Sequence, residues 1–131
     1  MKPLVDRIAY ARALSAGKRV LDIGGQKMPD CDAQSPFAKV YQGIERAAKE
    51  YRIADVQNAP SVDYVLDLNT AEGVTKLRAA IDAYRPDVIL CMETLEHINY
   101  HFETMNEIAR AIARDGATAW AARPAARWRH R

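Results

Sequence analysis

Apolar residues recur at helical spacing through the first stretch of the chain. Leu4, Val5, Ile8, Ala11 and Leu14 fall on one side of a helix over residues 4–14, and Gly17 follows as its stop. The period then changes. Val20, Leu21 and Ile23 form a short buried strand that holds one acid, Asp22, and runs into Gly24 and Gly25. Residues 26–39, with two prolines, read as a long polar loop, Val40–Ile44 as a second strand, and Tyr64–Leu68 as a third; residues 46–61 carry no clear period. Asn69 caps a helix with Glu72 as its reciprocal partner, Val74, Leu77, Ile81 and Tyr84 forming its apolar face and Pro86 its end. "DVILCM", 87–92, is a near-continuous apolar run, the pattern of a central parallel strand covered on both faces. A further helix turns Phe102, Met105, Ile108 and Ile112 inward. Its acids Glu103 and Glu107 come early and Arg110 and Arg114 late, matching the helix dipole, and Gly116 ends it. Residues 117–122, with four alanines and one tryptophan, make a weak fifth strand. Strands alternating with helices predict an α/β fold with a mostly parallel sheet.

Composition changes this picture little. A chain of 131 residues with 49% hydrophobic residues reads as one folded domain, residues 1–131: an N-terminal helix over 1–16, a core over 18–116 and a tail over 117–131. No stretch approaches the ~18 apolar residues that span a bilayer. Asp6, Arg7 and Arg12 break any signal-peptide pattern, so a cytoplasmic location without a membrane partner is expected. Cys31, in the polar loop, and Cys91, in an apolar run, show neither a disulfide framework nor metal-ligand spacing. The net charge of +2 belongs to the tail. Residues 117–131 hold four arginines and no acid, while the remainder carries 15 basic against 17 acidic residues. A nucleic-acid partner, which requires a basic face on the folded body, is not expected.

The chemistry sits at the carboxyl ends of the predicted strands, where open α/β folds bind ligands. Asp22 with Gly24 and Gly25 ends the first, Glu45 the second, Asp67 the third, and Glu93 follows the fourth. A glycine lets backbone approach a ligand closely. A carboxylate about 20 residues beyond it can accept hydrogen bonds from both ribose hydroxyls, and Glu45 follows Gly24 by 21 positions. This many acids with no phosphate-binding Lys or Arg nearby suit a cationic, adenosine-containing ligand. Each acid also has a bland reading: Glu45 as a solvated strand end, Asp67 as a helix-cap partner, the glycine pair as a tight turn. Asp22 resists one, because a bare buried carboxylate is costly.

"VLDIGG" (20–25), "GIE" (43–45), "DYVLDL" (63–68) and "PDVILCMETLEHI" (86–98) resemble the class I S-adenosylmethionine-dependent methyltransferases over roughly residues 18–116. The resemblance implies a Rossmann-like, mostly parallel sheet in the order 3-2-1-4-5 with helices on both faces. It implies S-adenosylmethionine as cofactor, with Asp22 and Gly24 holding the methionine portion and Gly25 also among the cofactor-binding residues. Glu45 would take the ribose diol, Asp67 and the backbone at Leu68 the adenine, and Met92 and Glu93 the wall near the sulfonium. The chain departs from the family at Gln26, where a further glycine is common. Gln26 and Pro29 also break the G-x-G-x-x-G pattern of a nicotinamide cofactor, leaving an oxidoreductase a distant alternative.

"METLEHINYH" places Glu93, Glu96 and His97 at i, i+3, i+4, with His101 one turn on. The string resembles that of metal-assisted O-methyltransferases of ubiquinone biosynthesis and of small-RNA 3′ ends, although metal-free relatives carry similar residues. Three readings stand open: a divalent-metal set, His97 as the base that takes a hydroxyl proton, its ordinary pKa being about 6.5, or a helix-start residue with a local hydrogen bond. The family also has two last strands, paired as a hairpin against strand five, for which this sequence offers no counterpart. A truncated chain is the expectation, with a basic partner-binding tail and pairing with a second copy through the strand edge as alternatives. Two functions follow: a methyltransferase core acting on an unidentified oxygen, nitrogen or carbon acceptor, or a methyltransferase-like module or inactive fragment that binds without turnover.

Overall fold

A computed structural model describes residues 2–24, 43–92 and 94–122, excepting the side chains of residues 2–8, 96, 121 and 122. The order of elements is α1 (Lys2–Ser15), β1 (Arg19–Ile23), β2 (Glu50–Asp55), β3 (Tyr64–Val65), α2 (Ala71–Tyr84), β4 (Val88–Met92), a 3-10 turn (Leu95–His97), α3 (His101–Asp115) and β5 (Thr118–Ala122). A short helical stretch over residues 43–47 precedes β2. The strands lie in the order β3-β2-β1-β4-β5, and every neighbouring pair is parallel, so the expected Rossmann-like topology is the observed one. The direction of winding reverses between β1 and β4.

Successive side chains of a strand face opposite sides of the sheet. Leu21 and Ile23 of β1, with Ile89 and Cys91 of β4, pack under Leu77, Ile81 and Tyr84 of α2 and Ile108 and Ala111 of α3. Val20, with Ile53 of β2 and Val88 and Leu90 of β4, packs on the other face with Ala11 of α1 and Ile44. β1 and β4 are therefore buried on both faces, the physical reason their sequences read as unbroken apolar runs. Each fully buried Leu or Ile contributes about 1.5–3 kcal/mol.

The helix ends follow local chemistry. Thr70, rather than Asn69, caps α2, its hydroxyl accepting from the Gly73 N–H at 3.0 Å. At the other end Arg85 takes a left-handed conformation (φ 54°) and donates its N–H to Ile81 O at 2.9 Å. This conformation costs a side-chain-bearing residue about 1–2 kcal/mol. Arg85 is held there by hydrogen bonds to Asp115 at 2.7 Å and to Asp82 O at 3.1 Å. Gly116 (φ 70°) closes α3 as predicted.

Three predicted elements differ. Of the strand predicted at Val40–Ile44, residues 43 and 44 belong to the helical stretch and 40–42 lie outside the described residues; the second strand is Glu50–Asp55. Its apolar signal is diluted because Tyr51 and Ile53 turn to the core while Arg52 faces the other way, bonded to Tyr64 Oη at 2.8 Å and lying 4.4 Å from the Tyr84 ring centre. The third strand stops at Val65, and residues 66–70 turn into α2. On α3 the buried stripe is Thr104, Glu107, Ile108 and Ala111, whereas Phe102 is 71% exposed and Met105 and Ile112 are partly exposed. That face can be buried because Arg78 of α2 and Arg110 both hydrogen-bond the Glu107 carboxylate, at 2.8 and 3.1 Å. Burial pushes this carboxyl up, and the two guanidinium groups more than offset it, leaving it below the usual range. Among the described residues no helix is long and apolar enough to cross a membrane.

Candidate functional site

The carboxyl ends of β1, β2 and β3 and the loop after β4 enclose a cleft of about 250 Å³. From β1 come Ile23 and Gly24; from β2, Ala54, Asp55 and Val56; from the turn after β3, residues 66–69; from the loop after β4, Thr94, His97 and Ile98. Gly24 holds φ +82° and donates its N–H to Ala54 O at 2.8 Å, turning the chain sharply at the strand end.

The turn after β3 is tied at several points. Asp67 Oδ1 accepts from the Asn69 N–H at 2.9 Å, and the Thr70 hydroxyl donates to Asp67 O at 2.7 Å. Gly73, in the first turn of α2, packs so closely that a Cβ there would lie 1.8 Å from Asp67 O. Across the cleft Asn99 donates its N–H to Asn69 Oδ1 at 2.9 Å, and Tyr100 donates its own to Leu68 O at 3.2 Å. Among the described residues the walls carry two carboxylates, Asp55 and Asp67, and no Lys or Arg. Such a site favours hydroxyl and amine donors or a cation over a polyphosphate.

Gly24, Asp67, Leu68 and His97 all border this cleft. Glu45 does not. It lies in the helical stretch 43–47, whose end accepts the Gly17 N–H at Ala47 O (2.9 Å) and which precedes β2, so it sits by the amino ends of the strands. The position assigned to it, the carboxyl end of β2, is held by Asp55. Asp22 is near the cleft without lining it. It is 1% exposed, faces the α1 side, and its Oδ2 accepts from Tyr51 Oη at 2.5 Å. Burial pushes its carboxyl up to about 7; the Tyr51 hydrogen bond opposes this and the nearby charge of Asp55 adds to it. Met92 packs against the α1-side core. Gly25, Glu93 and the side chain of Glu96 lie outside the described residues, and among those described no group of three or more His, Cys, Asp or Glu side chains is placed to hold a metal.

Sequence reasoning missed Asp55, Asn69, Gly73 and Thr94. Asp55 had a signal: "RIAD" closes on an acid after apolar residues, as "VLD" does in β1 and "YVLD" before α2. The other three act through space, and nothing local marks them.

A family profile described as a methyltransferase domain matches residues 1–131. Two curated relatives, each named ubiquinone biosynthesis O-methyltransferase, are similar to the chain. That of Thiobacillus denitrificans is 31% identical over 119 residues, covering 88% of this chain and 49% of the relative. That of Cupriavidus pinatubonensis is 30% identical over 103 residues, covering 74% and 40%. The chain thus spans about half the length of the first of these and less of the second. No solved structure matches.

Proposed function

The chain belongs to the methyltransferase domain family, and on that premise we propose that its cleft binds S-adenosylmethionine and serves methyl transfer to an acceptor oxygen. The observation that carries this reading is the convergence of Asp55 and Asp67 on one cleft beside the Gly24 turn, with no cationic side chain lining it among the described residues. Asp55 would accept hydrogen bonds from both ribose hydroxyls, the task first given to Glu45. Ala54, Leu66 and Ile98 offer apolar surface to a flat base. Asp67 spends one bond on Asn69 and, as a carboxylate, keeps acceptor capacity for an exocyclic amine. Bound S-adenosylmethionine supplies a methyl group already activated by positive sulfur. The protein's share is alignment and exclusion of water, worth several orders of magnitude when geometry is held.

His97 borders the cleft on the turn after β4. It would take the proton that an acceptor hydroxyl loses as the oxygen attacks. Oxygen is preferred over nitrogen or carbon because both relatives are named O-methyltransferases.

Calorimetric titration with S-adenosylmethionine tests the binding. Wild-type protein is expected to bind, and Asp55→Ala to weaken binding about 10-fold or more, the scale of lost charge-assisted hydrogen bonds. Glu45→Ala leaves it unchanged. No binding to the wild type overturns the proposal. Binding with no label transferred from methyl-labelled cofactor to a panel of phenols and catechols would favour the non-catalytic module.

A further inference from the structure

Thr94 makes a set of contacts that neither helix capping nor core packing explains. The β1–β4 ladder pairs Val20 with Val88, Leu21 with Ile89 and Asp22 with Leu90, and ends there. Beyond it the two central strands part, at the point where the sheet's winding reverses, the crevice in which open α/β sheets take ligands. The Thr94 hydroxyl spans this gap. It donates to Ile23 O at 2.9 Å, with Met92 O a second acceptor at 3.2 Å. Thr94 precedes the 3-10 turn, the usual place for a capping hydroxyl, yet its side chain makes no capping bond. It reaches back to the strand ends instead. Its backbone carbonyl meanwhile accepts the His97 N–H at 2.9 Å, so the residue that bridges the strands also starts the turn carrying His97.

Gly24 completes the arrangement. A Cβ on Gly24 would lie 2.2 Å from Thr94 Oγ1. The group that comes close to this glycine is a hydroxyl of the protein itself, so the need for glycine here precedes any ligand.

We propose that Thr94 is a positioning residue of the cleft: its hydroxyl latches the carboxyl ends of β1 and β4 and fixes the Gly24 turn and the His97 turn relative to each other. The inference rests on the cofactor reading above for its functional consequence, though not for its geometry. It places Thr94 on the β1–β4 side of the cleft, whereas Asp55 comes from β2 and Asp67 from the turn after β3. Loss of the hydroxyl therefore falls on ligands that extend past the ribose and spares those that do not.

The test uses Thr94→Val, which keeps shape and removes the donor, and Thr94→Ser, which keeps the donor. S-adenosylmethionine and adenosine are titrated calorimetrically into each. Thr94→Val is expected to weaken S-adenosylmethionine about 5- to 10-fold, the loss of roughly one hydrogen bond. Adenosine affinity should stay within about 2-fold, and Thr94→Ser should recover most of the loss. Equal affinity of wild type and Thr94→Val for S-adenosylmethionine, or equal loss for both ligands, overturns the inference. A second measurement is independent of the cofactor. Gly24→Ala lowers the melting temperature, and in a Thr94→Ala background the same substitution should lower it by a clearly smaller amount, since the collision with Oγ1 is then gone and only the cost of the positive φ remains. If the wild type binds no S-adenosylmethionine, the proposed function fails, and this cycle alone decides the latch: identical losses in the two backgrounds refute it.

Discussion

Asp22→Asn should remove a pH dependence of stability that the wild-type protein carries through the neutral range. The Asp22 carboxyl is 1% exposed, and burial pushes it from 3.8 up to about 7 despite the Tyr51 hydrogen bond. Folded protein therefore holds this proton more tightly than unfolded chain. The stabilisation is fully present below pH ~4, drains away as pH rises toward ~7, and is gone above it. A rise of about three pKa units corresponds to about 4 kcal/mol at ~1.4 kcal/mol per unit. Asparagine occupies the same volume, can accept from Tyr51, and does not titrate. Urea unfolding of wild type and variant at half-unit steps from pH 4.5 to 8.5 gives the difference in stability at each pH. That difference should move against the wild type by about 3 kcal/mol across the range. Asp82, Glu107 and Asp115 titrate with the opposite sign, but both proteins contain them and they cancel in the difference. A difference level to within about 0.5 kcal/mol, the usual error of additivity, would falsify the claim that this carboxyl is buried and poorly compensated. Tyr51→Phe, which removes the hydrogen bond that opposes the rise, should extend the slope to higher pH.

Gly73→Ala sets two effects against each other. Helix propensity alone favours alanine by about 1 kcal/mol, but the Cβ would meet Asp67 O at 1.8 Å, so a net loss of about 2 kcal/mol is expected; a raised melting temperature would contradict the packing. Asp82, Glu107 and Asp115 are all held below the usual carboxylate range, Asp82 by Arg114 and Arg110, Glu107 by Arg78 and Arg110 against its burial, and Asp115 by Arg114 and Arg85. Their contribution is present above the unfolded-state values and lost as pH falls through the folded ones, so Glu107→Gln should show a shallower acid limb in urea melts below pH ~4. His97→Gln should leave S-adenosylmethionine affinity within about 2-fold while cutting turnover on a phenolic acceptor about 100-fold or more, in line with loss of a general base; an equal fall in both would make His97 a binding residue instead.

How far the fold could be read depended on whether each segment's burial was two-sided, one-sided or charge-compensated. β1 and β4 are covered on both faces and showed themselves as apolar runs, and α2 displayed its stripe with clear end signals. β2 did not, because Arg52 is satisfied through Tyr64 and the Tyr84 ring, a compensation with no local signature. On α3 an apolar tally selects Phe102 and Met105, yet the buried face carries Glu107, made tolerable by an arginine 29 residues away. The same distinction governs the site. Gly24, Asp67, Leu68 and His97 were legible because each sits beside a recognisable strand end. Glu45 was misread because the strand it was thought to close lies further along the chain, where Asp55 holds that place. Thr94 matters through a contact with Ile23, far away in sequence, and Gly73 through how tightly the start of α2 folds back on Asp67; neither leaves a mark in the residue pattern.

The amides of Asn99 and Tyr100 bond to Asn69 and Leu68 across the cleft, joining the segment that leads into α3 to the turn that leads into α2. The two banks therefore form one mechanical unit at this end, and a ligand there meets a gap of set width. Solvent exchange at these two N–H groups becomes a built-in gauge: any event that prises the banks apart must expose both protons together.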